Sequence, residues 1–253
     1  MTVINASRER LTQPSINRVS ARQPLTWLAQ GFADFLKVPV SSMAYGGILT
    51  AIGVMFWLYG SPLLVLSLVT GFLLLGPFLA VGFYKISQRL ERGERAHLGH
   101  ALGAWRTNSM SLVLLAMLLA IVMVIWIRAV GLIVAIYFTA NPTTVADLLF
   151  QPEAAPFIGI LVISGAVLAG FVFAISAISW PMLLDRDYDP VTAVTTSVRA
   201  VFANLPAMIV WALLISGIVL ISMVPLFLGL IVSLPVVAYA TWHSYRDLVT
   251  LEP

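Results

Sequence analysis

Cysteine is absent from the 253 residues, which removes disulfides, cysteine-ligated zinc or iron–sulfur centres and thiol catalysis from consideration. Charge is nearly as scarce. Asp, Glu, Lys and Arg together make up 10% of the chain, whereas a soluble domain usually carries about 25%. A surface so poor in charge cannot face water over most of its area, so its solvent is lipid. Histidine occurs three times, as His97, His100 and His243. There is no serine nucleophile elbow, no P-loop and no glycine-rich dinucleotide turn between a strand and a helix. These absences point away from a catalytic site, a metal site or a bound cofactor.

What remains is apolar. Hydrophobic residues form 60% of the chain and mean hydropathy is +0.98. At roughly 20 apolar residues per crossing, the hydrophobic stretches supply about six transmembrane helices, over residues 45–59, 63–84, 110–138, 157–184, 205–223 and 225–242. The runs are apolar on every face, unlike the alternating strands of a barrel. The fold class is therefore all-α integral membrane. Domain organisation follows as a disordered cytoplasmic tail over 1–23, a membrane domain over 24–248 and a C-terminal tail over 249–253. Residues 1–23 are polar and lack the apolar core of a cleavable signal peptide.

Net charge is +3 with a pI near 9.4, but the basic residues flank apolar segments, so they report topology rather than nucleic-acid binding. Thirteen of the fourteen Lys and Arg residues fall in the tails or in one set of connections. The opposite connections, near Gly60, across 141–156 and near Pro225, contain none, and the longest carries Asp147 and Glu153. The positive-inside rule then places both termini in the cytoplasm, with an even number of crossings.

A threefold pattern underlies the chain. Segments 27–37, 98–107 and 193–203 read as short amphipathic helices at the cytoplasmic interface, each leading into a hairpin of two crossings. A proline recurs in the second, fourth and sixth crossings, at Pro77, Pro181 and Pro235. Small residues such as Gly159, Gly165, Gly170, Ser176, Ala177 and Ser179 permit close helix approach, within this chain or against another subunit.

The fourteenth basic residue, Arg128, stands in an apolar run. About twenty residues at 1.5 Å each separate it from the start of its helix, which places it at the far interface, where its side chain can snorkel. Residues 129–138 would then bend along the surface. The functional alternative puts Arg128 inside a tilted helix beside an acidic or phosphate partner.

Asp185, Arg186 and Asp187 belong to the densest acidic cluster, Asp185-Arg-Asp-Tyr-Asp-Pro190. Alternating aspartates could ligate a hard cation, yet Pro190 and Thr196 stand where an EF-hand needs glycine and glutamate. Asp189 instead suits a helix cap ahead of Pro190, with Asp185 and Asp187 pairing to nearby arginines. His97 and His100 share a face with Glu94 on a charged surface loop. His243 and Arg246 lie in Trp242-His-Ser-Tyr-Arg-Asp247, whose composition suits an aromatic belt at headgroup depth.

The segments Leu75-Gly-Pro-Phe-Leu-Ala-Val-Gly-Phe-Tyr84, Gln88-Arg-Leu-Glu-Arg-Gly-Glu94, Pro181-Met-Leu-Leu-Asp-Arg-Asp187 and Ala240-Thr-Trp-His-Ser-Tyr-Arg-Asp-Leu248 resemble the bacterial integral-membrane family called domain of unknown function 2189. The resemblance extends over most of the chain after about residue 25. It implies a proteobacterial-type inner membrane and no established activity. Some relatives carry labels naming them cytochrome c oxidase subunit I, a role that needs mid-membrane histidines this sequence lacks.

The expected function is that of a non-catalytic accessory or assembly subunit of a larger, respiratory membrane complex, with membrane lipids and other membrane subunits as partners. A small transporter or channel is the alternative, supported by the prolines and glycines in helices two, four and six. A lipid-modifying enzyme using Asp185, Asp187 and His243 is a third reading, weakened because nothing in the spacing brings them together.

Overall fold

The computed structural model describes residues 14–138 and 154–250, and ten α-helices account for most of them. Helix α1 spans Gln23–Lys37, α2 Pro39–Tyr59, α3 Pro62–Glu91 and α4 Leu98–Gly103, the last followed by a 3-10 turn over Ala104–Arg106. Helix α5 spans Ser109–Tyr137, α6 Ala154–Ser176, α7 Ser179–Asp185, α8 Pro190–Ala203, α9 Leu205–Met223 and α10 Leu230–Leu248. Two short strands, β1 (Ser15–Ile16) and β2 (Val249–Thr250), pair antiparallel. Asp147 and Glu153 lie outside the described residues, as do the outermost parts of both expected tails.

Among the described residues, four helical segments are long and apolar enough to cross a membrane: α2, α5, α6 together with α7 over Ala154–Asp185, and α9. Helix α3 makes a fifth when its halves, Pro62–Phe72 and Leu74–Glu91, are taken as one span bent by 59°. The bend has a sequence cause. The ring of Pro77 collides with the carbonyl four residues earlier, at position 73, and removes the hydrogen bond that carbonyl would accept.

The sixth stretch behaves differently. Helix α10 starts at Leu230, after a turn in which Leu226 and Phe227 take left-handed backbone angles (φ 50° and 65°), and it continues six residues beyond the expected end at 242. Its last turns carry His243, Arg246 and Asp247, so it falls outside the set of apolar spans. Polarity is tolerated there because α1, α2 and α3 pack around it and shield it. Glycine permits that approach. A Cβ on Gly31 of α1 would lie 2.6 Å from the Ala240 amide nitrogen, and one on Gly46 of α2 would lie 2.7 Å from the Ile231 carbonyl oxygen. Across the same contact Ser42 and Tyr239 share a 2.6 Å hydrogen bond.

The three segments expected to be short amphipathic helices form as α1, α4 with its 3-10 turn, and α8. Asp189 caps α8 by accepting from the Thr192 amide at 2.9 Å, with Pro190 opening the helix. Two expectations change. Helix α5 runs unbroken past Arg128 to Tyr137, because Val130, Ile133 and Val134 are buried in the core rather than laid on a surface. Residues 14–22 are tied down, since Ser15 and Ile16 pair with Thr250 and Val249. Asn204 fixes the same segment by accepting from the Val19 amide at 2.8 Å and donating to the Asn17 carbonyl at 2.9 Å.

Candidate functional site

Successive residues of a helix point about 100° apart, so six consecutive polar or aromatic residues reach in all directions. The last turns of α10 use this. Trp242 Nε1 donates to Glu91 Oε2 at 2.9 Å, and His243 Nε2 lies 2.9 Å from Asp34 Oδ2. The Tyr245 hydroxyl donates to Asp185 Oδ2 at 2.9 Å. Arg246 bridges two acids, through Nε to Glu91 Oε1 at 2.9 Å and Nη1 to Asp185 Oδ2 at 3.5 Å. Asp247 Oδ2 accepts from Gln23 Nε2 at 2.8 Å and Trp27 Nε1 at 2.7 Å. One helix end is thereby fastened to α1, α3 and α7.

The partners complete the shell. Asp34, with a side chain 5% exposed, also accepts from Ser87 at 2.8 Å and Lys37 at 2.8 Å. Asp185, 8% exposed, accepts from Gln88 Nε2 at 2.8 Å and faces Arg92 at 3.7 Å. A carboxylate this buried is tolerated only when its oxygens are well supplied with donors. Burial alone would raise the pKa of Asp34, but the donors His243, Lys37 and Ser87 outweigh it and hold the carboxyl below its usual value of 3.8. Arg92 and Arg246 are 55% and 41% exposed, so their ion pairs are screened and contribute little. The neutral donors Tyr245 and Gln88, which cannot turn to water, hold Asp185 more firmly.

The cluster sets four carboxylates (Asp34, Glu91, Asp185, Asp247) against Lys37, Arg92 and Arg246, with the His243 ring on Asp34. Oxygens of all four accept hydrogen bonds from side chains within the fold. That arrangement clamps helices to one another. Among the described residues no group of three His, Asp or Glu side chains is placed to hold a metal ion.

Of the residues singled out from sequence, Asp185, His243 and Arg246 enter this cluster. Asp185 and Arg246 form an ion pair, while His243 turns to Asp34 instead. Arg186 and Asp187 are exposed, and among the described residues Asp187 forms no ion pair; the pairing expected for it gives way to solvent, because the chain turns outward after Asp185. Arg128 is exposed on α5, about 30 Å along the helix from Asn108 at its start. The aromatic-belt reading of Trp242–Asp247 is corrected: Trp242 and Tyr245 are fully buried and face protein carboxylates. Glu94 pairs with Arg89 at 2.9 Å rather than with the histidines, whose ring centroids lie 3.7 Å apart.

Asp34, Ser87, Gln88, Glu91 and Asp247 were not apparent beforehand. The one available signal was the density of hydrogen-bonding side chains after an apolar helix, which suits a polar contact at the protein interior as well as an interface.

No curated protein and no solved structure matches the chain. The family described as "Predicted integral membrane protein (DUF2189)" matches residues 64–185, from the start of α3 to the end of α7, including Glu91 and Asp185 of the clamp. That match spans a little under half of the 253 residues, and over it the chain is similar to that integral-membrane family.

Proposed function

We propose that the chain is a non-catalytic accessory or assembly subunit of a larger membrane complex, respiratory by the labels of the family it resembles, in a bacterial inner membrane. The observation that carries this reading is the commitment of the acidic cluster to holding α1, α3, α7 and α10 together. A subunit whose polar groups stabilise its own fold can act by presenting shape, and the exposed faces of α2, α5, α6 and α9 offer apolar surface for other subunits. Purification of the tagged chain from native membranes in mild detergent, followed by mass spectrometry, tests it. Stoichiometric membrane partners are the expected result; a lone monomer or a pure homo-oligomer contradicts the proposal.

The topology we propose has six crossings, with both termini in the cytoplasm. The pairing of β1 with β2 supports an even number, since it requires the two ends to lie on one side of the membrane. With α2, α3, α5, α6–α7 and α9 as five, α10 is the helix that returns the chain, and its polar turns sit at the basic end. A reporter fused after Pro253 should be cytoplasmic; a periplasmic reporter overturns both count and orientation.

The transporter reading draws on the 59° bend of α3 at Pro77 and on Pro235 within α10. Solute flux in proteoliposomes above that of empty vesicles would favour it over the accessory role.

A further inference from the structure

A cavity of about 470 Å³ lies between α3, α5, α6, α9 and α10, on the membrane side of the clamp. Its walls are mostly apolar, and it is roomy at two of its three lining glycines, Gly165 being packed on Trp126. A Cβ added at Gly76 or Gly170 would meet nothing within 4 Å. Its mouth is lateral. Helix α6 packs on α3, α5 and α8, and α9 on α10 and α1, but α6 and α9 do not pack closely on each other among the described residues. The residues Val162 on α6 and Leu213 and Leu220 on α9 both line the cavity and are exposed, so the opening faces the acyl chains between these two helices.

Two donors sit in the wall without acceptors. Ser176 (1% exposed) and Trp211 (0% exposed) line the cavity, and neither Ser176 Oγ nor Trp211 Nε1 has a hydrogen-bond partner among the described residues. Buried tryptophan N–H groups ordinarily find a partner, and in a lipid-like interior an unmet donor is costly. Water is a poor candidate, because a largely apolar cavity offers it too few partners to hold it. The contrast with the clamp is direct: there each carboxylate has its donors, and here the donors lack an oxygen.

We propose that the cavity binds a neutral lipid-soluble molecule that enters sideways from the bilayer and presents a carbonyl-type acceptor oxygen to Trp211 and Ser176. The volume falls within the usual range of ligand pockets, roughly 300–1,000 Å³, and suits one ring headgroup or a segment of one acyl chain. The same chemistry is carried by isoprenoid quinones and by acyl esters of membrane lipids. The site stands apart from the accessory role, since binding is measured on the purified chain and partner capture is not.

The test uses the full chain, delipidated in detergent and titrated separately with a decyl-tailed benzoquinone and with dioleoylphosphatidylcholine, with native mass spectrometry reading occupancy. Saturable one-to-one binding of one probe is expected, and the probe that binds identifies the source. Gly170→Leu fills the space and should weaken that binding at least about tenfold, the order set by excluding a ligand from a packed apolar site. The double variant Trp211→Phe with Ser176→Ala keeps the shape and removes the donors. It should weaken binding about tenfold or more, since two hydrogen bonds are lost at roughly three- to tenfold each. Circular dichroism melting confirms that each variant is folded, and Gly76→Leu replaces Gly170→Leu if the latter does not fold. Failure of the parent chain to bind either probe saturably overturns the proposal. So does unchanged binding by a folded cavity-filling variant, or by the donor-deleted variant.

Discussion

Helix α10 buries fourteen of its nineteen residues, whereas α6, four residues longer, buries six. The first carries His243, Arg246 and Asp247 in its last turns; the second has no charged residue at all. Lipid accepts only apolar side chains, so the helix that faces lipid has to be uniformly hydrophobic. A helix wrapped by other helices meets protein instead and can carry charge, provided each charged group finds its counterpart. Hydropathy therefore reports what a helix faces as much as whether it spans.

This contrast can be broken most severely at Gly31. A Gly31→Leu side chain would project into the α10 backbone near Ala240. We expect loss of a monodisperse folded species on size-exclusion chromatography, corresponding to about 3 kcal/mol or more of overpacking. Next is Asp185→Ala, which strands the buried Tyr245 hydroxyl and Gln88 amide without an acceptor. It should destabilise the chain by about 2–4 kcal/mol in denaturant titration of the detergent-solubilised protein.

Acid should act through Asp34. Because its folded pKa is depressed, the stability it contributes is fully present above its unfolded value of 3.8 and is lost as pH falls through the lower folded value. The melting temperature of the parent chain should drop more steeply below about pH 4 than that of Asp34→Asn, which has no such proton to take up. The smallest effect belongs to α6. Ile163 is 67% exposed, and Ile163→Ala should leave thermal stability within about 0.5 kcal/mol. A large loss there would mean that α6 faces protein within the chain.

Much of the helical framework was legible. The expected stretch 205–223 coincides with α9, and 110–138 lies within one residue of α5 at either end, because long uniformly apolar runs have only one way to satisfy their backbone in lipid. Ends set by polar contacts were less so. Helix α3 continues to Glu91 through Ser87 and Gln88, whose side chains meet Asp34 and Asp185 from elsewhere in the chain. The clamp itself was hidden. His243 reaches back 209 residues to Asp34 and Trp27 forward 220 to Asp247, separations on which helical periodicity is silent. The conspicuous run Trp242–Asp247 signalled a dense polar contact, yet composition alone could not say whether it met headgroups or carboxylates.

The central claim is that the end of α10 is held to its neighbours by direct side-chain pairing with buried acids. A double-mutant cycle between Tyr245→Phe and Asp185→Asn, followed by unfolding in detergent, measures that pairing without depending on any assumed partner or topology. The structure predicts a coupling energy of about 1 kcal/mol or more across the 2.9 Å contact. Effects that add to within about 0.3 kcal/mol would contradict it.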